Sequence, residues 1–114
     1  KNFCDFVNDL NNYHQIIVIE KNNNIIGTGT IFIEKKLTYD ISYMGHIENI
    51  LIHKNYRSKG YGEVLVKKLI EHGKNNKCYR IDLNCGRELE NFYRKNNFRI
   101  NQISMRYMIK ENFK

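Results

Sequence analysis

The sequence predicts a small α/β (α+β) fold, a mixed sheet with helices packed on its faces. Three observations carry that expectation. Runs rich in β-branched residues are separated by segments of helical periodicity. An asparagine-rich turn joins the first two runs. The order of elements is then helix, hairpin, strand, helix, strand, helix, strand.

Each element has its own signal. Phe3, Phe6, Val7 and Leu10 recur at helical spacing, so an amphipathic helix is expected to open the chain. Residues 15–20 are a β-branched run, Lys21-Asn22-Asn23-Asn24 is a turn signal, and 25–34 is the returning strand. The irregular stretch 35–44 reads as a loop, and the Ile-rich stretch 45–53 as the next strand. After the basic loop 57–62, Tyr61, Val64, Leu65 and Leu69 trace one face of a helix that Gly73 is expected to stop. Tyr79, Ile81 and Leu83 alternate with Arg80, Asp82 and Asn84, which predicts a short strand over 78–84. A second helix over 88–96 packs Leu89, Phe92 and Tyr93. Asn97 suits the left-handed backbone that ends a helix, after which Phe98 returns to the core. Residues 100–109 supply one or two closing strands.

The chain has 114 residues, 41% of them hydrophobic and 27% charged, the balance of one globular domain over 1–114. It starts without Met, and further residues are expected upstream of Lys1. No apolar run approaches the roughly 20 residues that span a membrane, and no signal peptide is visible. Cys4, Cys78 and Cys85 lack CxxC spacing, so reduced thiols and a cytoplasmic location are expected. The net charge of +7 favours anionic partners: nucleic acid, an acidic membrane or phosphorylated small molecules. A basic nucleic-acid-binding module is the rival from another class, but no helix-turn-helix, zinc or RNP motif is present.

The residues with most chemical content are Arg57-Ser58-Lys59-Gly60-Tyr61-Gly62, after a strand and at the start of a helix. Phosphate binding there needs outward N–H groups with no β-carbon in the way, which the two glycines allow. Arg57 and Lys59 add positive charge. The spacing is not that of a P-loop, and an ordinary tight turn is the plainer alternative. Glu48 stands in a mostly apolar strand, where a carboxylate needs a partner. It serves either binding or a structural ion pair. His46 reads as structural and the other three histidines as surface, with no metal-ligand spacing among them. Cys85 has no histidine in a recognisable dyad, so packing is the expected role.

This loop resembles the (Q/R)xxGx(G/A) pyrophosphate loop of GNAT acetyltransferases, and Tyr93 to Phe98 resembles that family's YxxxGF ending. Within the superfamily, Gly45-His46-Ile47-Glu48-Asn49, Cys78-Tyr79-Arg80 and Phe92-Tyr93 are similar to segments of glucosamine-6-phosphate N-acetyltransferases. The resemblance runs from about residue 15 to 110. It implies a mostly antiparallel mixed sheet with helices on both faces, and acetyl-CoA as cosubstrate without a metal. Acetyl transfer to glucosamine 6-phosphate, for UDP-N-acetylglucosamine synthesis, is the implied activity. Another small amine or a protein N-terminus is the alternative acceptor. The backbone of Ile50, Leu51 and Ile52 would hold the pantetheine arm. Arg57, Ser58, Lys59, Gly60, Tyr61, Gly62 and Glu63 would hold the pyrophosphate. Asn84 and Tyr93 would also meet CoA, with Tyr93 protonating the leaving thiolate and Glu48 the second catalytic residue. Lys36, Tyr39, Glu48, Asn49, Ile50, Tyr79 and Arg80 would meet the sugar phosphate, the last two across a homodimer interface. Without the resemblance, Tyr93 would read as core and Arg80 as solvated surface. Asn49 and Asn84 stand where the family carries acidic residues. The family's C-terminal Arg falls near Met108, where Arg106 or Lys110 would replace it.

Overall fold

A computed structural model describes residues 13–37 and 42–110. The expected opening helix, Cys4 and Tyr39 lie outside them. The chain divides into two compact units, Lys1–Leu83 and Asn84–Lys114.

The first unit is built on a four-stranded sheet in the order β1-β2-β3-β4. Strands β1 (His14–Lys21) and β2 (Asn24–Lys36) form the expected hairpin. Asn22 and Asn23 take φ of 52° and 67°, the doubly left-handed turn that matches the twist of a two-residue hairpin. Strand β3 (Ser42–Ile52) pairs antiparallel with β2. Helix α1 (Tyr61–Asn75) then crosses over, and β4 (Cys78–Leu83) returns parallel to β3. Of the loop expected over 35–44, the described residues Lys35, Lys36 and 42–44 are strand, because Lys35 pairs with Tyr43 and Lys36 with Ser42. Solvent-facing strand ends carry charges such as Glu34 and Lys36, so hydropathy hides a ladder that the backbone continues.

Alternation along β2 sends Ile31 and Ile33 to the α1 face and Phe32, Glu34 and Lys36 to the other. Helix α1 buries Leu65, Val66 and Leu69. Val64, expected in the core, is 51% exposed, and Val66 takes its place. Gly73 does not stop the helix, which runs on to Asn75. Its role is close approach, since a β-carbon there would sit 2.7 Å from Ile81 Cδ1 and 3.3 Å from Ile31 Cδ1. A β-carbon at Gly45 would also crowd Ile31 Cδ1, at 2.9 Å, so the fully buried Ile31 is seated between the two glycines. Burial of such a side chain is worth about 2–3 kcal/mol. The helix ends at Asn76, whose side-chain amide donates to the His72 carbonyl at 2.8 Å, and Lys77 follows with φ of 64°.

The second unit holds a 3-10 turn, Arg87–Leu89, that leads into α2 (Glu90–Lys95). Tyr93 is buried with its ring edge-on to Phe92 and Phe98, at 5.0 and 5.7 Å. Leu89 is 44% exposed and does not pack as expected. Asn97 is left-handed as anticipated (φ 71°), and the Phe98 N–H donates to the Tyr93 carbonyl at 3.0 Å to close the helix. The closing strands over 100–109 do not form. Ile103, Met105 and Ile109 are each 85–91% exposed in a stretch with no ladder partner among the described residues. Alternating apolar residues favour a strand, but a strand also needs a neighbour to satisfy its backbone.

Candidate active site

Strand β3 and the loop after it carry most of the expected cofactor contacts. Between Thr28 and Thr30 the β2 ladder advances two residues while β3 advances three, from Leu51 to Glu48. The extra residue is a bulge, and Asn49 sits in it with φ of 56°. Asparagine tolerates the left-handed region well, so this departure from the family's acidic residue suits the local backbone. The β3–β4 ladder ends at Ile47 and Leu83, and β3 continues for five more residues, Glu48 to Ile52. Past that point the β3 edge has no partner in β4. It presents main-chain donors and acceptors along an extended edge, which suits an amide-bearing chain laid beside it.

Beyond β3, a 3-10 turn (Lys54–Tyr56) is capped by His53, whose Nδ1 accepts from the Asn55 N–H at 3.2 Å. The Arg57 Nε donates to the Ile52 carbonyl at 3.0 Å, which ties the loop to the strand end. Ser58 and Gly60 both have positive φ, 61° and 88°. Gly60 is the N-cap of α1 and so offers no capping side chain. The first helical bond is from the Val64 N–H to the Gly60 carbonyl, at 3.2 Å. The N–H groups of Tyr61, Gly62 and Glu63 therefore precede the helical ladder and have no side-chain cap. A β-carbon at Gly60 would meet nothing within 4 Å, so the approach to these donors is open. Glu63 would repel an anion, but Lys67 holds it at 2.9 Å and pulls its pKa down. The Lys21 ammonium also reaches this end of α1 and donates to the Tyr61 hydroxyl at 3.0 Å. Lys21 carries no local signal in the sequence, because 40 residues separate the two partners.

The sheet face opposite α1 gathers several expected substrate residues. Register aligns Thr30 with Glu48, Phe32 with His46 and Lys36 with Ser42, and on β4 aligns Arg80 with Met44 and Asp82 with His46. Lys36, Glu48 and Arg80 thus share one face. Each is engaged along its own strand: Lys36 with Glu34 at 3.2 Å, Glu48 with His46 at 3.8 Å, and Arg80 with Asp82 at 3.2 Å. Arg80 Nη2 also touches Met44 Sδ at 3.5 Å. These pairs are solvent-exposed, and each contributes less than about 1 kcal/mol. Tyr79 sits in a register shift, since Tyr43 pairs with Cys78 while Met44 pairs with Arg80. Its ring lies 5.2 Å from the Arg80 guanidinium.

In the second unit, Asn84 and Cys85 are exposed. The Tyr93 ring is buried, yet its hydroxyl makes no hydrogen bond among the described residues. Burial, with Cys85 nearby, pushes the phenol pKa up, so Tyr93 keeps its proton at neutral pH. Arg106 and Lys110 lie in the exposed stretch after α2; the shared strand face expected for them is absent because no strand forms there. No helix among the described residues is long and apolar enough to cross a membrane.

Known proteins resemble this arrangement. The chain is 32% identical to the glucosamine 6-phosphate N-acetyltransferase of Candida albicans over 82% of its own length and 62% of that protein's. It is 37% identical to the Arabidopsis thaliana enzyme of the same name over 72% of this chain and 56% of that one. It therefore spans about three-fifths of the length of these relatives. The crystal structure of the Arabidopsis thaliana glucosamine-6-phosphate N-acetyltransferase superposes with a TM-score of 0.86 at 30% identity, covering 94% of this chain and 74% of that one. The profile of the Acetyltransferase (GNAT) family matches residues 2–98, which include the bulged strand, the glycine loop and Tyr93. A bulged strand that outruns its neighbour and an uncapped helix start are thus features of a chain that belongs to the GNAT acetyltransferase family.

Proposed function

We propose that this chain transfers the acetyl group of acetyl-CoA to the amine of glucosamine 6-phosphate. The observation that carries the cofactor half is the open β3 edge running into the uncapped N-terminus of α1. Pantetheine amides would pair along residues 50–52, and the pyrophosphate would take the N–H groups of residues 58–63, with Arg57 and Lys59 adding charge. Asn84 would join the cofactor contacts. The acceptor half is supported by relatives that bear this activity in their names.

The amine nitrogen attacks the thioester carbonyl carbon, and the carbon–sulfur bond then breaks with no acyl-enzyme. A backbone N–H of β3 would stabilise the oxyanion, a contribution of roughly 3 kcal/mol. Tyr93 would give its retained proton to the departing thiolate. Glu48 would accept the proton that the amine loses and, with Asn49 and Ile50, line the sugar pocket. Lys36, Tyr39, Tyr79, Arg80 and one of Arg106 or Lys110 would hold the sugar and its phosphate. The product, N-acetylglucosamine 6-phosphate, would feed UDP-N-acetylglucosamine synthesis. The free thiols of Cys78 and Cys85 suit a cytoplasmic setting.

A twofold homodimer belongs to this reading. The sheet face alone carries three carboxylates (Glu34, Glu48 and Asp82) against the cations Lys36 and Arg80, a poor phosphate site by itself. Further cations from another copy would correct that balance. The exposed, alternating stretch 99–110 supports the idea, since it has the pattern of a strand awaiting another chain's sheet.

The test is acetyl-CoA consumption with glucosamine 6-phosphate, glucosamine, a polyamine and a peptide. Glucosamine 6-phosphate is expected to exceed glucosamine by about 100-fold in kcat/KM, because charge-assisted contacts are worth about 1.5–3 kcal/mol each. Arg80→Ala should erode that preference through KM. Equal rates on the two sugars would end the amino-sugar assignment and point to the alternative small amine or protein N-terminus.

A further inference from the structure

The turn between β1 and β2 places a second lysine beside the glycine loop. The Lys21 ammonium lies 5.8 Å from the Tyr56 ring centroid and 5.7 Å from that of Tyr61, whose hydroxyl accepts its hydrogen bond at 3.0 Å. The Lys59 ammonium lies 6.0 Å from the same Tyr56 ring. The two phenol rings meet edge to face at 6.2 Å. Two ammonium groups thus each lie within about 6 Å of one ring centroid, and neither has a carboxylate within ion-pair distance among the described residues. Glu63, the acid in the first turn of α1, is already taken by Lys67 at 2.9 Å. The hydrogen bond to Tyr61 raises the Lys21 pKa, so this cation stays charged. Like charges held together without a counter-ion raise the local potential, and an anion seated between them lowers it. Cation–π contact with the rings restrains the flexible lysine stems in the meantime.

The loop N–H groups and Arg57 face the place proposed for the pyrophosphate, and Lys21, with Lys59 across the Tyr56 ring, adds charge that a second anion close by would share. CoA carries one: the dianionic phosphate monoester on the 3′ oxygen of its ribose. Ammonium groups act as point charges and suit a monoester that offers three oxygens and no fixed face. We propose that Lys21 and Lys59, restrained by Tyr56 and Tyr61, hold the ribose 3′-phosphate and make the protein select CoA over 3′-dephospho-CoA. The proposal rests on the acetyl-CoA reading above and adds a specificity element to it.

Calorimetric titration of CoA and of 3′-dephospho-CoA into the full chain tests it, with Lys21→Met, Lys59→Met and the double variant alongside. The unaltered chain should bind CoA about 10-fold or more tightly than the dephospho form, the effect of one charge-assisted contact or more. Each single variant should narrow the gap, and the double variant should bind both forms alike, no more tightly than the unaltered chain binds dephospho-CoA. Tyr61→Phe keeps both charges and removes only the hydroxyl that holds Lys21, so it should lose part of the preference. Equal binding of the two forms by the unaltered chain, or an undiminished preference in the double variant, overturns the proposal and leaves the cofactor reading standing. If neither form binds the unaltered chain, the cofactor reading itself fails and this proposal fails with it.

Discussion

Tyr93 shows how a single residue can be ambiguous in sequence and informative in structure. Helical spacing alone makes it a core tyrosine, and its ring is indeed buried among Phe92 and Phe98. What the spacing does not show is a hydroxyl without a hydrogen bond among the described residues, and the raised pKa. A phenol that keeps its proton above the usual value near 10 is a donor across the whole neutral range. Tyr93→Phe should therefore lower kcat by about 100-fold and leave the KM for acetyl-CoA within about twofold. Steady-state kinetics checks this, and unchanged turnover would return Tyr93 to a packing role. Gly73 was legible as a glycine with a purpose, but the purpose was not. A stop signal and a close-packing position look the same until Ile31 and Ile81 are seen against it.

At the scale of elements, hydrophobic period located β1, β2, α1 and β4 to within a few residues. It could not locate the bulge in β3. A one-residue insertion leaves composition untouched and appears only in the register, where Leu51 and Glu48 answer Thr28 and Thr30. Its one trace was Asn49, a turn-forming residue inside an Ile-rich strand. The bulge should respond to chemistry at that position in opposite directions. Asn49→Gly accepts a φ of 56° freely and should bind CoA much as the parent does. Asn49→Ile places a β-branched side chain in the left-handed region and should destabilise the unit by about 1–2 kcal/mol. It should also weaken CoA binding. Urea midpoints with calorimetry on both variants decide it, and an Asn49→Ile protein equal to the parent in both would show the bulge to be incidental.

For the whole molecule, the missing information was what backbone, if any, lies beside residues 100–109. Alternation over 100–109 predicted closing strands that do not form, because period says nothing about where a neighbouring backbone comes from. The exposed apolar side chains of that stretch argue for association, so sedimentation at micromolar concentration should give a dimer. Replacing Ile103 and Met105 with Lys should give monomer and cost the preference for the phosphorylated sugar; a fully active monomer of the unaltered chain would contradict the homodimer.

The seat of Ile31 between Gly45 and Gly73 has a bearing on the order in which the first unit assembles. The hairpin and β3 are joined by short local connections and can pair early. The β4 strand is different: it lies parallel to β3, and the chain can reach that position only by the crossover through α1. Ile81 of β4 packs at Gly73, and Ile31 of β2 packs there too, so a docked helix would help β4 find its register. The expected last step for this unit is a zipping of β4 into a slot already shaped by three other elements. Backbone amides of β4 should be the latest of the sheet to gain protection as the chain refolds.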